Sequence, residues 1–202
     1  MGIFAVVDWL ARRWVSSALF MACGFVALAP AIALAFSGFV VLLYLHLPAY
    51  MFHQVEEHTG DRFRRFANER MFGGKNVLRP VDVIVVNLPV VWGVNLFAFY
   101  AALLLSPGAS LVAPYLLFVN AVLHIVTTLR LRCYNPGLVT AIVLFLPLSI
   151  ATLLRASAMP GITILDHAFG LAAALAIHLA IMAQSDHPIE RMFAHDTGAI
   201  GH

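Results

Sequence analysis

Six apolar runs, each about as long as a membrane-crossing helix, limit what this chain can fold into more than any other feature of its sequence. Crossing the hydrocarbon takes ~20 largely apolar residues, and lipid offers no partner for a free N–H or C=O, so each run must close its own hydrogen bonds as a helix. The runs lie at about 15–35, 38–57, 81–105, 110–132, 137–155 and 162–183. The later breaks fall at Ser106-Pro107-Gly108, Asn135-Pro136-Gly137 and Met159-Pro160-Gly161. The stretch from Val15 to Phe52 is too long for one span and divides near Ser37-Gly38. Pro30 offers an alternative break, as does a short re-entrant element followed by a long helix. The expected fold is an all-α, polytopic transmembrane bundle of about six spans, one membrane domain over residues 1–202. An extra N-terminal span (15–35) precedes a core at about 38–183, and a short tail covers 184–202. Composition agrees, since 62% hydrophobic and 11% charged residues leave too little polar surface for a soluble globule.

Charge supplies the expected orientation, because loops rich in Lys and Arg stay on the cytoplasmic side. Arg12 and Arg13 precede the first span; Arg62, Arg64, Arg65, Arg70, Lys75 and Arg79 fill the second loop; Arg130 and Arg132 close the fourth span; Arg191 lies in the tail. The alternate loops carry only Arg155, so six spans with both termini cytoplasmic satisfy the rule throughout. Arg12-Arg13, the apolar run and Ala33-Leu34-Ala35 imitate a cleavable signal, but the expectation is a retained first helix. The loop from His58 to Pro80, with Phe63, Phe66 and Phe72 among its arginines, reads as an interfacial segment on anionic headgroups. A net charge of +2 is far from the basic field that nucleic acid requires. Cys23 and Cys133 show neither disulfide nor thiolate-metal spacing.

Ionisable groups inside a bilayer are costly, so each is a functional candidate. The second span carries His46, His53, Glu56 and Glu57, followed by His58 and Asp61. His53 stands at i to i+3 and i+4 from the two glutamates, a spacing that lets all three share a helix face as metal ligands, with His46 two turns back. The plainer reading is a helix end whose glutamates pair with Arg62 or Arg65. Asp82, Asn87, Trp92 and Asn95 mark the third span, where the asparagines read as interhelical hydrogen-bond glue. The fourth span pairs Asn120 with His124 at i to i+4, a ligand with an amide to fix its tautomer. In Tyr134-Asn135-Pro136-Gly137, Asn135 is the expected N-cap and Pro136 the first helical residue, with Tyr134 free to aim its phenol at the inner helix ends. His178 is the inner histidine of the sixth span; Asp166 and His167 are the outer candidates. His53, Glu56, Glu57, Asn87, His124, Tyr134 and His178 thus fall within one layer on the arginine-rich side.

The string His53-Gln54-Val55-Glu56-Glu57, the later Asn120-xxx-His124 and Tyr134-Asn135-Pro136-Gly137 resemble the HXXEE domain family of small bacterial membrane proteins. The resemblance covers roughly 40–155 and implies a common site at His53, Glu56, Glu57, His124, Tyr134, Pro136 and Gly137, in a bacterial inner membrane. It implies no particular reaction. A weaker likeness is to glutamate intramembrane proteases, which pair EExxxR with FxxxH; here Arg62 comes one residue late and Asn120 replaces the Phe.

These residues lead to the expectation of a membrane-embedded, metal-dependent hydrolase acting on a lipid or other apolar substrate at the inner leaflet. His53, His124, His178 and Glu56 or Glu57 would hold one or two zinc or iron ions, the other glutamate would be the base, and Tyr134 or Asn120 would stabilise developing charge. Three or four ligands favour zinc. Six or more, reached by adding His46 and His58, favour a di-iron oxidoreductase or hydroxylase. An ion or proton transporter, or a non-catalytic membrane protein, completes the alternatives.

Overall fold

In a computed structural model the backbone is described over residues 3–186, and the side chains over 13–183 and at Trp9. Arg12, Arg191 and the whole of the 184–202 tail therefore lie outside the described side chains. Six helices are long and apolar enough to cross a membrane: Arg13–Ala35, Gly38–Met71, Pro80–Leu104, Gly108–Leu131, Leu138–Ser157 and Ile164–Ala183. They are called the first to sixth spans below.

The first helix runs from Ile3 to Ala35, through the paired arginines and through Pro30. The break comes where Ser37, extended at φ −64° and ψ 155°, caps the next helix by accepting from Val40 N. The second helix, Gly38–His58, ends because Gly60 and Asp61 adopt positive φ (64° and 62°). Its last carbonyls are closed by Arg62, which donates to the main-chain oxygens of Glu56, Val55 and Thr59. The expected interfacial loop is tied down: Asn68 donates to Leu78 O and Asn76 Oδ1 (both 3.1 Å) and accepts from Val77 N and Leu78 N.

Lipid supplies no hydrophobic drive between helices, so contact depends on small residues that let backbones approach. Ala18 and Ala22 of the first span pack on Leu47 and Met51 of the second. Ala121, Ala141 and Ala174 lie with Leu116, Leu117 and Phe145 in the central core. The third and fifth spans each contain a widened π-helical turn, Val86–Trp92 and Ala141–Phe145. Pro89 lies inside the first and removes a helical donor there. That turn presents both Asn87 and Trp92 to Gln54, which donates to Asn87 Oδ1 (2.9 Å) and accepts from Trp92 Nε1 (2.9 Å). The second turn lays Phe145 against His53, with ring centroids 4.4 Å apart.

Candidate metal centre

His53 and Glu57 project from the second span and His124 from the fourth, and one ligand atom from each lies within 4.8 Å of the others. Glu57 stands between the imidazoles: His53 Nε2 is 3.6 Å from one carboxylate oxygen and His124 Nε2 3.6 Å from the other. Relative exposures of 0% for His53, 5% for His124 and 7% for Glu57 put all three out of reach of bulk water. At 3.6 Å the groups are too far apart to hydrogen-bond, and His53 Nε2 has no hydrogen-bond partner among the described residues. A tetrahedral ion with bonds of about 2.0–2.1 Å spaces its ligand atoms about 3.4 Å apart, close to the separation here. Two neutral imidazoles offer lone pairs and the carboxylate a negative charge, so the donor set fits a divalent cation, which would also offset the cost of burying that charge.

Glu56 points elsewhere. Successive helical residues are rotated by about 100°, so the i+3 and i+4 glutamates straddle the direction of His53 and do not share it. Glu56 Oε1 accepts from Tyr134 Oη (2.5 Å) and Val139 N (3.1 Å), while Oε2 accepts from Thr140 N (2.7 Å) and Thr140 Oγ1 (2.5 Å). It thereby caps the fifth span, whose first-turn N–H groups favour a carboxylate. The expected cap from Asn135 is overturned: the helix begins at Leu138 with Gly137 before it, and Asn135 Nδ2 donates to the main-chain oxygen of His124 (3.4 Å). No sequence rule shows a cap supplied from 83 residues away. The pairing of the glutamates with Arg62 or Arg65 is likewise not found, since both arginines donate to main-chain carbonyls.

Gly137, at φ +100°, rests directly on the two imidazoles: a Cβ there would lie 2.7 Å from Cε1 of both His53 and His124. Burial and the bond to Glu56 push the Tyr134 phenol up to about 12, so it remains a donor at any physiological pH. His58 approaches the same Glu57 oxygen as His53, its Nε2 3.0 Å from Oε2 but without a hydrogen bond. Its ring is packed by Trp14 (5.1 Å) and Phe63 (5.8 Å), and Phe63 also faces His124 (6.4 Å). The first span thus closes one flank.

Residues 44–152 match the sequence family described as protein of unknown function with HXXEE motif. The chain belongs to the HXXEE family. No curated protein and no solved structure matches it. Within the HXXEE chain, the named His and final Glu of the motif join His124, while the first Glu holds the loop that follows. His178 and Asn120 stay outside the group. His178 Nδ1 is engaged with Ala174 O (2.8 Å), and Asn120 donates to Tyr50 Oη (3.2 Å), so it does not hold the tautomer of His124. His46 is buried with Nδ1 on Leu42 O (2.8 Å). Asn87 joins Gln54 between spans, whereas Asn95 bonds its own helix at Val91 O. On the opposite side His167 meets Tyr115 Oη (2.9 Å) and Ser157 Oγ (3.2 Å), and Asp166 caps its own helix through Thr163. A cleft of about 570 Å³ between the third, fourth and sixth spans, lined by Pro89, Gly93, Phe97, Gly108, Phe169 and Gly170, shares no residue with the centre.

Sequence reasoning missed Gln54 and Thr140. Gln54 stood inside the motif, and a fully buried amide there was readable as an interhelical partner for Asn87. Thr140 carried no comparable signal, because its partner His53 is 87 residues away.

Proposed function

We propose that this HXXEE protein is a membrane-embedded, metal-dependent hydrolase with a mononuclear centre, acting on a lipid or other apolar substrate at the arginine-rich, inner face of the membrane. The observation that carries the reading is the buried group of His53, Glu57 and His124, with ligand atoms within 4.8 Å of one another and His53 Nε2 unbonded. Two histidines and one carboxylate that leave a position open match the composition of catalytic zinc sites. A bound divalent ion there supplies Lewis acidity and a water of lowered pKa. The chain's own groups do the rest. His53, His124 and Glu57 hold the ion, Phe63 and Trp14 shield it from water, and His58 beside Glu57 offers a base outside the ligand set. Two further points support one ion over two: Glu56 is committed to four donors, the Tyr134 phenol in the loop and three groups of Val139 and Thr140 on the fifth span, and neither His46 nor His178 belongs to the group whose ligand atoms converge.

The test is elemental analysis of detergent-purified protein beside His53→Ala, His124→Ala and Glu57→Gln, with ester hydrolysis followed before and after chelation. Expected are about one equivalent of metal, lost in each variant, and hydrolysis that disappears with chelator and returns with zinc. Folded wild-type protein that takes up no metal would overturn the metal reading, and a metal-loaded protein inactive on lipid and ester substrates would overturn the hydrolase reading.

A further inference from the structure

The hydrogen-bond network behind His53 fixes which of its nitrogens carries the proton. Thr140 Oγ1 has one hydrogen to give and lies 2.5 Å from Glu56 Oε2, 3.2 Å from Gly137 O and 2.8 Å from His53 Nδ1. A carboxylate and a carbonyl only accept, so the hydroxyl hydrogen goes to one of them, the nearer being Glu56. The hydroxyl oxygen is then left as acceptor towards His53, which requires a hydrogen on Nδ1. The Nε2 lone pair is thereby left facing Glu57 and His124.

We infer that the two glutamates of the HXXEE motif have divided roles, Glu57 joining the metal-binding group and Glu56, through Thr140, acting as a positioning residue that locks His53 as an Nε2 ligand. The arrangement is a carboxylate–histidine–metal relay with a hydroxyl inserted between carboxylate and imidazole. It also explains why the fifth span begins where it does. Glu56 takes the free N–H groups of Val139 and Thr140, so the same carboxylate that orders the helix start holds the hydroxyl in register with His53. Tyr134 donates to the same carboxylate and fixes it from the loop side. Phe145, packed at a tilt against His53 with centroids 4.4 Å apart, limits rotation of the ring out of this position.

The inference rests on the metal-centre reading for its effect on affinity, but the tautomer itself is measurable without metal. The experiment uses full-length protein in detergent with nitrogen-labelled histidine, comparing wild type, Thr140→Val, Thr140→Ser and Glu56→Gln. Metal-free wild type should show His53 protonated at Nδ1, retained in Thr140→Ser and lost or mixed in Thr140→Val. Zinc affinity, read by chelator competition, should fall about 10- to 100-fold in Thr140→Val and Glu56→Gln and recover in Thr140→Ser. The spectrum of bound cobalt should shift in the same two variants. If Thr140→Val keeps both the wild-type tautomer and the wild-type affinity, the relay is wrong. If wild type binds no zinc but the His53 signal still switches with Thr140→Val, the relay stands and the metal reading fails.

Discussion

Replacing Gly137 by alanine tests the centre without touching any proposed ligand. The added Cβ would stand 2.7 Å from Cε1 of His53 and of His124 and 3.2 Å from Nε2 of His124. Carbon atoms pack at about 3.5–4.0 Å, so each ring would have to retreat by roughly 1 Å. Metal bonds tolerate about ±0.2 Å, so a displacement of that size removes at least one imidazole from coordination. A backbone φ of +100° adds strain for an L residue, of order 1–2 kcal/mol. Zinc affinity should therefore drop by at least about 100-fold, the upper end of what lost supporting contacts cost. The assay is chelator competition on detergent-purified protein, with size-exclusion profile and thermal midpoint recorded on the same samples. A folded Gly137→Ala variant whose affinity stays within about threefold of wild type, under 1 kcal/mol, would refute the packing of this loop on both rings.

Tyr134→Phe removes one of four donors to Glu56 and should cost about 1–3 kcal/mol in unfolding free energy, seen as a lowered thermal midpoint, while keeping a metal site. Because the phenol is raised from its ordinary 10 to about 12, its bond to Glu56 contributes fully below pH 10 and is lost as pH rises through about 12; the Tyr134 phenolate, isolated as wild type minus Tyr134→Phe absorbance, should titrate in that window. Ionisation near the ordinary value would contradict the bond to Glu56. Gln54→Leu breaks the bonds to Asn87 and Trp92 and should destabilise the bundle by roughly 1–2 kcal/mol, with a change in indole fluorescence; an unchanged midpoint and spectrum would remove Gln54 as the link between the second and third spans. If the arginine-rich end is cytoplasmic, a membrane-impermeant thiol reagent should label Cys133 in inverted vesicles of a Cys23→Ser variant and not in right-side-out ones. The opposite pattern would reverse the orientation.

Six spans, their turns and the motif histidines were legible in the chain because they depend on local quantities: run length, Pro-Gly breaks and the absence of charge. Span limits came within a few residues except at the end of the second span, expected near 57 and found to run on to Met71, and the division expected near Ser37-Gly38 falls where the Ser37 side chain caps the next helix. The reach of the first helix back to Ile3, and the retention of Pro30 within it, did not show in hydropathy.

What the tertiary structure decided was partnership. Hydropathy and spacing place His53, Glu56 and Glu57 on one helix end, but a rotation of about 100° between neighbours sends the glutamates to different spans, and only packing fixes which receives which. Thus Glu57 meets His124, Glu56 caps a helix starting at Leu138, and His178 turns to its own backbone. Thr140 acquires its role only because a carboxylate and an imidazole from the second span converge on one hydroxyl of the fifth. Such contacts arise from the rotation and depth at which two helices pack, quantities that no single segment of sequence contains.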